Sequence, residues 1–475
     1  MFIKKSIYSM LFVASLAAVG TTSCSKFVDK NPFNQIDEDK AITSLLQAKY
    51  ALTGVYDGLQ SASYLGRNYF AMGDAPTDNI IIPSNNSGRF LSEAQWTMTA
   101  TNADLADLWN SGYSTINRAN KLLEAIDAIP GDATTKNQYK GEALAVRAMI
   151  HFDLVRMFAQ PYDYTADASH LGVPYMTATT VIGTPGRDTV KVVYSKVIKD
   201  LTDAIALLQV NASGRAASYT FNKNAAKALL ARVYLYKGDL PNAKSTAVDV
   251  ITTGGYSLIT NANYAASWLL PKTTESIFSV SNIPTDYQST NSLAYIYLQA
   301  GYGDLRVTTP FKTLFASNDV RQIFFTAGTS PNTAWTYVGK YPSRENTNGL
   351  TNDPVIRLSE MYLIAAEACA KTNDEPNAIK YVDAIRQRAV PTAGATTATG
   401  QALIDVILLE KRKELCYEGH YYHDLKRLHL TITSALKDNG TPYTTITYPD
   451  NKLAYPIPQR EIDANPVIAK QQNPL

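Results

Sequence analysis

The sequence predicts a mostly α-helical protein built from paired helices, with two loop-rich regions set into the helical run. Three observations predict it. Apolar residues recur at three- and four-residue spacing through most of the chain, the period of helices with one buried face. Two segments, 226–250 and 361–385, follow one helix–turn–helix pattern. Two others, 60–103 and 254–353, break the period: the first is rich in Gly, Asn, Asp and Ser, the second long and mixed. Segments of that length in a compact protein are functional or disordered, and the aromatic residues in both argue against disorder.

The chain opens on an export signal. Lys4 and Lys5 precede an apolar run from Ile7 to Val19, and Gly20, Thr21, Thr22 and Ser23 are small. These are the three parts of a cleaved signal peptide, here residues 1–23. Cys24 at the junction becomes the first mature residue and the point of lipid attachment. Plain secretion after cleavage at Gly20 is the alternative reading. A retained span is disfavoured, because the run falls short of the ~20 residues that cross a bilayer. Residues 24–40 are polar and turn-rich and read as a lipidated tether. Residues 41–475 read as the folded domain, with an N-terminal portion near 41–240 and a C-terminal portion near 270–475.

Helical spacing places elements over Ile42–Leu59, Leu105–Ile129, Glu142–Phe158 and Val192–Leu208. Trp109, beside Tyr113 in the second of these, reads as core. In the two repeated segments, aligning Ala243 with Ala378 puts Leu230 on Ala365, Ala231 on Ala366 and Gly238 on Asn373. Gly and Asn tolerate the left-handed helix end that such a turn requires. Pro241 and Pro376 fall near the start of each second helix, where a missing N–H costs little. Small residues at the crossing and Tyr at the flanks resemble a tetratricopeptide helix pair, a unit of stacked scaffolds.

Composition excludes some functions. The formal charge of +2 lies entirely in Lys4 and Lys5, so the mature chain is neutral. Without basic runs there is no footprint for nucleic acid. Of three cysteines, Cys369 and Cys416 sit among apolar neighbours and read as buried thiols, with a disulfide between them as the alternative. Tyrosine is over-represented, 30 against 14 Phe; it suits both helix packing and wet binding surfaces.

Charges alternate from Glu410 to Arg427, across a break at Gly419. Glu414, Glu418 and Asp424 offer acid–base carboxylates, but a salt-bridged network with Arg357, Arg386 or Arg388 is the favoured reading. His420, His423 and His429 cluster there, and capping and packing roles are favoured over a zinc site, which needs three or four ligands. Phosphate-binding glycine loops and nucleophile elbows are absent from the sequence. No catalytic residue, metal site or cofactor is therefore assigned.

The last third carries a recognisable signature: RLSEMYLIAAEACAK (357–371), DAIRQRA (383–389), ILLEKRKELCYEGHYYHDLKRL (407–428) and the ending YPIPQREIDANPVIAKQQNPL (455–475). Upstream, GDAPTDN (73–79), WNSGYSTINRAN (109–120), GEALAVRAMIHFDLVRMF (141–158) and GVPY (172–175) agree. Together they make the chain resemble the SusD/RagB family over essentially its full length. The resemblance implies a tetratricopeptide-like scaffold with a loop-rich lobe packed on it. It also implies an outer-membrane lipoprotein anchored at Cys24 and facing the cell exterior. Such a protein binds a nutrient, usually an oligosaccharide, and delivers it to a TonB-dependent SusC-like transporter without cleaving it. Peptide cargo is the alternative. The ligand contacts are then expected in the loop regions: Tyr64, Tyr69, Arg89 and Trp96 in the first, and Trp268, Tyr287, Tyr295, Tyr297 and Tyr302 in the second. Trp96 leads, because its polar surroundings offer few helical packing partners.

Overall fold

The computed structural model describes residues 41–179 and 183–474. The signal segment, Cys24 and the tether lie outside the described residues. Long helices form the scaffold: α1 (Leu45–Gln60), α2 (Ala103–Ile126), α3 (Ala133–Phe158), α4 (Val190–Leu207), α5 (Lys223–Lys237), α6 (Leu240–Thr253), α7 (Leu358–Lys371), α8 (Glu375–Ala389) and α9 (Gly400–Glu414). The first five begin on Ser44, Asn102, Asp132, Thr189 and Asn222, whose side chains each accept the backbone N–H three residues on. That bond satisfies one of the donors a helix start leaves open.

Each helix packs chiefly on its sequence neighbours as far as α8, and α9 packs on α7 and α8. The repeated segments are the pairs α5–α6 and α7–α8, joined side by side through α6 and α7. The expected left-handed turns are present, with φ of +79° at Gly238 and +59° at Asn373. Helix α3 starts at Ala133, nine residues before the start that spacing marked, because its first turns are polar and no apolar stripe announces them. Trp109 is buried against Phe158, as expected.

Residues 254–357 leave the row between α6 and α7 and build the lobe. Strands β2 (Ser276–Val280) and β6 (Asp353–Arg357) pair antiparallel and pin the two ends of this insertion. A four-stranded sheet then joins the two loop-rich regions. Its order is β1 (Ile80–Ile81), β3 (Arg306–Val307), β5 (Thr336–Val338), β4 (Phe325–Ala327), all antiparallel. Ile80 pairs with Val307, and Arg306 with Tyr337. A short helix, Asn68–Asp74, is wholly buried beneath the lobe. There a Cβ on Gly73 would come within 2.5 Å of the Gly419 backbone, so only glycine fits. The Asp74 carboxylate accepts the N–H groups of Tyr417 and Gly419, at 3.2 and 2.9 Å, and burial pushes its pKa up to about 7.

Buried ion pairs lock lobe to scaffold. Arg357 binds Glu418 at 2.7 Å, Glu414 at 3.1 Å and Glu275 at 3.2 Å. Arg388 binds Glu275 and Glu414, both at 2.7 Å. Arg321 binds Asp319, Glu410 and Glu414. Burial pushes the Glu414 carboxyl up, but Arg388, Arg357 and Arg321 outweigh it and hold it well below the usual range. The expected network is thus present, with one correction: Arg386 is not in it. It binds Asp383 and Thr396 instead. Two residues apart on α8, Arg386 and Arg388 point to different faces. Asp424 belongs to a second network with Lys411, Arg427 and Glu367.

His420 and His423 are buried, whereas His429 is partly exposed and stacks on Tyr448, with ring centroids 3.7 Å apart. Among the described residues no group of three or more His, Cys, Asp or Glu side chains is placed to hold a metal ion. Cys369 and Cys416 are separate buried thiols. No described helix is long and apolar enough to cross a membrane.

Candidate ligand-binding site

The four-stranded sheet fixes where the loop-borne side chains meet. Strand β1 carries the first loop region into contact with β3, and the chain before β3 doubles back tightly. The Tyr302 N–H donates to Tyr295 O at 2.7 Å and the Asp304 N–H to Ile296 O at 2.9 Å. Two glycines allow this fold-back. A Cβ on Gly301 would strike the Tyr295 carbonyl, and Gly303 has φ of +56° with the Tyr337 ring 2.6 Å from where a Cβ would stand. Tyr302 is thereby set edge-on to Tyr295, with centroids 5.0 Å apart.

Arg89 covers this pair. Its guanidinium lies 3.6 Å from the centroid of the Tyr302 ring. Asp304 holds the Arg89 loop by accepting the Ser87 N–H at 2.9 Å and also the Ser87 hydroxyl; its carboxylate is 3.7 Å from Arg89. Next to it on β3, the Arg306 guanidinium lies over Trp335 at 4.8 Å and over Tyr337 at 5.1 Å. It donates to Gly303 O at 2.8 Å and to Asn85 Oδ1 at 3.3 Å, while its Nη1 has no partner among the described residues. Burial lowers the Arg306 pKa from the usual arginine value, yet a guanidinium remains charged at neutral pH. Nδ2 of Asn86, on the same loop, is likewise unpartnered. Tyr295, Tyr302, Arg89 and Trp335 are each half-buried, with part of each side chain facing solvent.

Of the nine loop residues singled out from sequence, the structure brings together three: Arg89, Tyr295 and Tyr302. Four others are core, a correction to the expectation that they face a ligand. Trp96 is 2 % exposed; its indole donates to Pro76 O at 3.0 Å and its ring meets Tyr422 edge-on. Tyr64 and Tyr69 are buried with Asp153 and Arg156, to which their hydroxyls bond. Tyr297 stacks on Tyr341 and is fully buried. Each is covered by chain distant in sequence, which a local polar context does not reveal. Trp268 is half-buried but stands elsewhere, edge-on to Phe324 and beneath Lys340 and Arg357. Tyr287 is half-buried on the loop after Asp286. Sequence reasoning missed Trp335, Arg306 and Asn85. The run TAWTYVGKY carried the signal for Trp335: a Trp in a short strand-like stretch of the second loop region.

Chemically, the cluster offers part-exposed aromatic surface to apolar C–H groups, and arginine and amide donors to hydroxyl or carbonyl oxygens. The carboxylates weighed as acid–base groups are not part of it. Glu414, Glu418 and Asp424 are all buried in ion pairs.

Fold and cluster together define a helical-repeat scaffold whose inserted lobe presents stacking rings beside hydrogen-bond donors. The chain belongs to the SusD/RagB family. Residues 26–235 match the family model described as "Starch-binding associating with outer membrane", and residues 325–475 match that of the SusD family. A putative sugar binding protein from Bacteroides vulgatus is 32% identical, with a TM-score of 0.82 over 92% of this chain and 99% of that one. A SusD superfamily protein from Bacteroides thetaiotaomicron is 30% identical, also at 0.82, over 91% and 100%. SusD-like protein P38 of Formosa agariphila is 24% identical over 93% of this chain and 95% of that protein.

Proposed function

We propose that this chain is a lipid-anchored outer-membrane protein that binds an oligosaccharide or polysaccharide and passes it to a TonB-dependent SusC-like transporter. The observation that carries the reading is the part-exposed cluster of Arg89 on Tyr302, with Tyr295 edge-on to Tyr302, on the same sheet as the Arg306–Trp335 pair. Sugar rings pair apolar C–H faces with a rim of hydroxyls, and this cluster pairs aromatic planes with arginine donors. Family membership supports the same reading. One matched structure is described as a putative sugar binding protein and another as a SusD superfamily protein, and one family model is described as starch-binding and associating with the outer membrane. The lipid anchor at Cys24 and the exterior-facing orientation come from the export signal and the family, and belong to the same proposal.

Binding without cleavage is part of the proposal, since the charged motif near the C-terminus is spent on structural ion pairs. A fold hosts many chemistries, so the reading rests on the site and is tested there. A glycan array probed with the mature protein, and repeated with Tyr302→Ala, checks it. Glycan signals lost in the variant are expected. Retention of peptides with no glycan signal would overturn the reading, and unchanged glycan signals in the variant would move the site elsewhere.

A further inference from the structure

A cleft of about 240 Å³ opens where the C-terminal half of α1 faces β2, on residues that the candidate site does not use. Rings of Tyr56, Tyr219 and Phe278 wall it, and Asp57 and Asp286 line it. The hydroxyls of the two half-buried tyrosines are already engaged, and Phe278 is buried behind them as the floor. Tyr56 donates its hydroxyl to Glu142 at 2.7 Å and accepts the Phe221 N–H at 2.8 Å. Tyr219 donates to Pro271 O and accepts from Asn352. Phe278 is backed by Phe221, with ring centroids 4.3 Å apart. Gln60 fixes the opposite wall, donating to Ser281 O, Asn282 Oδ1 and Asp286 O at 3.2, 3.1 and 3.0 Å. The Asp286 carboxylate itself has neither a hydrogen bond nor an ion pair among the described residues.

We propose that this cleft is a second saccharide subsite, taking one neutral, hydroxyl-rich ring of a chain whose main contact is the Arg89–Tyr302 cluster. The proposal rests on the glycan-binding reading above. The part-exposed rings of Tyr56 and Tyr219 give apolar surface for the C–H side of a sugar, and carboxylates accept its hydroxyl hydrogens. The unpaired Asp286 carboxylate disfavours phosphate, sulfate and uronate groups. A free cation is disfavoured too, because Asp57 is already paired with Arg118 at 3.1 Å. Asp286 and Tyr295 are joined by nine residues of chain and so lie at most ~32 Å apart, a distance within the span of a polysaccharide. Two contacts on one strand multiply through effective concentration.

The test uses the mature protein with soluble starch, xylan and mannan, and with the trisaccharide of each as the short probe. The probes are followed by affinity electrophoresis and calorimetry. The variants are Asp286→Ala on its exposed loop, Thr53→Trp to fill the cleft from the outer face of α1, and Tyr302→Ala. Both cleft variants are expected to weaken retention by a bound polysaccharide at least about five-fold and to leave its trisaccharide affinity unchanged, as loss of a second contact predicts. Tyr302→Ala is expected to weaken both by about tenfold or more. Unchanged polysaccharide binding in a folded Asp286→Ala, with Tyr302→Ala still weakened, overturns the cleft alone. Binding of ammonium ligands in place of neutral sugars at the cleft also overturns it. Failure of the unaltered protein to bind any of the three polysaccharides overturns the cleft together with the glycan reading.

Discussion

Arg89 and Tyr302 lie face to face, guanidinium over ring at 3.6 Å, although they sit on loops that only the β1–β3 pairing brings together. Both are part-exposed, and Tyr302 packs only at the margin of the core. Tyr302→Ala is therefore expected to weaken glycan binding by tenfold or more, about 1.4 kcal/mol, the scale of a stacking anchor. Arg89→Ala is expected to weaken it less. Thermal melting of both variants should stay within a few degrees of the parent. Isothermal titration alongside a melting curve checks both claims.

Trp96 should behave in the opposite way. Its indole is hydrogen-bonded and packed inside the lobe, so Trp96→Ala is expected to cost about 3–5 kcal/mol of stability, the usual range for removing a buried Trp. The measurement is urea unfolding. A stable Trp96→Ala that has lost ligand binding would return this residue to the binding site.

Arg357 is the joint between β6, α7 and the Glu414–Glu418 segment. Arg357→Met leaves three buried carboxylates short of a partner. A loss of about 3–5 kcal/mol is expected, the cost of breaking a buried pair from one side. Arg386→Met touches only the neighbouring Asp383 and Thr396 and the Gly394 carbonyl and is expected to cost far less. Denaturant midpoints of the two variants, compared at constant m-value, decide it.

His423 gives a pH signature. Burial, then Arg156, Lys426 and Arg232, hold its pKa well below the usual imidazole value, and neither ring nitrogen has a hydrogen-bond partner. A base depressed in the folded state contributes stability that is full above its unfolded pKa near 6.5. As pH falls below that value the unfolded chain takes the proton and the folded chain does not. The loss approaches about 1.4 kcal/mol per pH unit for one such group. His423→Phe removes this titration without removing a hydrogen bond. Its stability should fall less steeply than the parent's between pH 6.5 and 5. His420 and His151 are also held down and titrate in both proteins, so the difference isolates His423. Parallel curves would show that its ring is hydrated or paired.

The helical scaffold was legible because its rules are local. Gly238 and Asn373, separated by the whole lobe, were matched by the repeat alone, and both adopt the left-handed turn it requires. The charged run from Glu410 was likewise readable as a network, since alternating signs on adjacent turns seek each other. Its membership was not: Arg386 and Arg388 differ in sequence by two positions and in space by a helix face. The binding face was legible only in part. Strands β1 and β3 are two residues each, too short for any period to show. What decided between Trp96 and Trp335 is far along the chain, Tyr422 for one and Arg306 for the other. A polar neighbourhood in sequence says that a tryptophan lacks local cover, and leaves open whether distant chain supplies it.

The join between Ile80 and Val307 carries a last consequence. Two-residue strands have no standing of their own and exist only once each has found the other, across more than two hundred residues of intervening scaffold. If the Arg89–Tyr302 cluster binds ligand as proposed, capture is thereby a certificate of completion: a chain that has stalled, been clipped within the lobe or closed its insertion out of register cannot bring Arg89 to Tyr302 and is expected to carry no cargo.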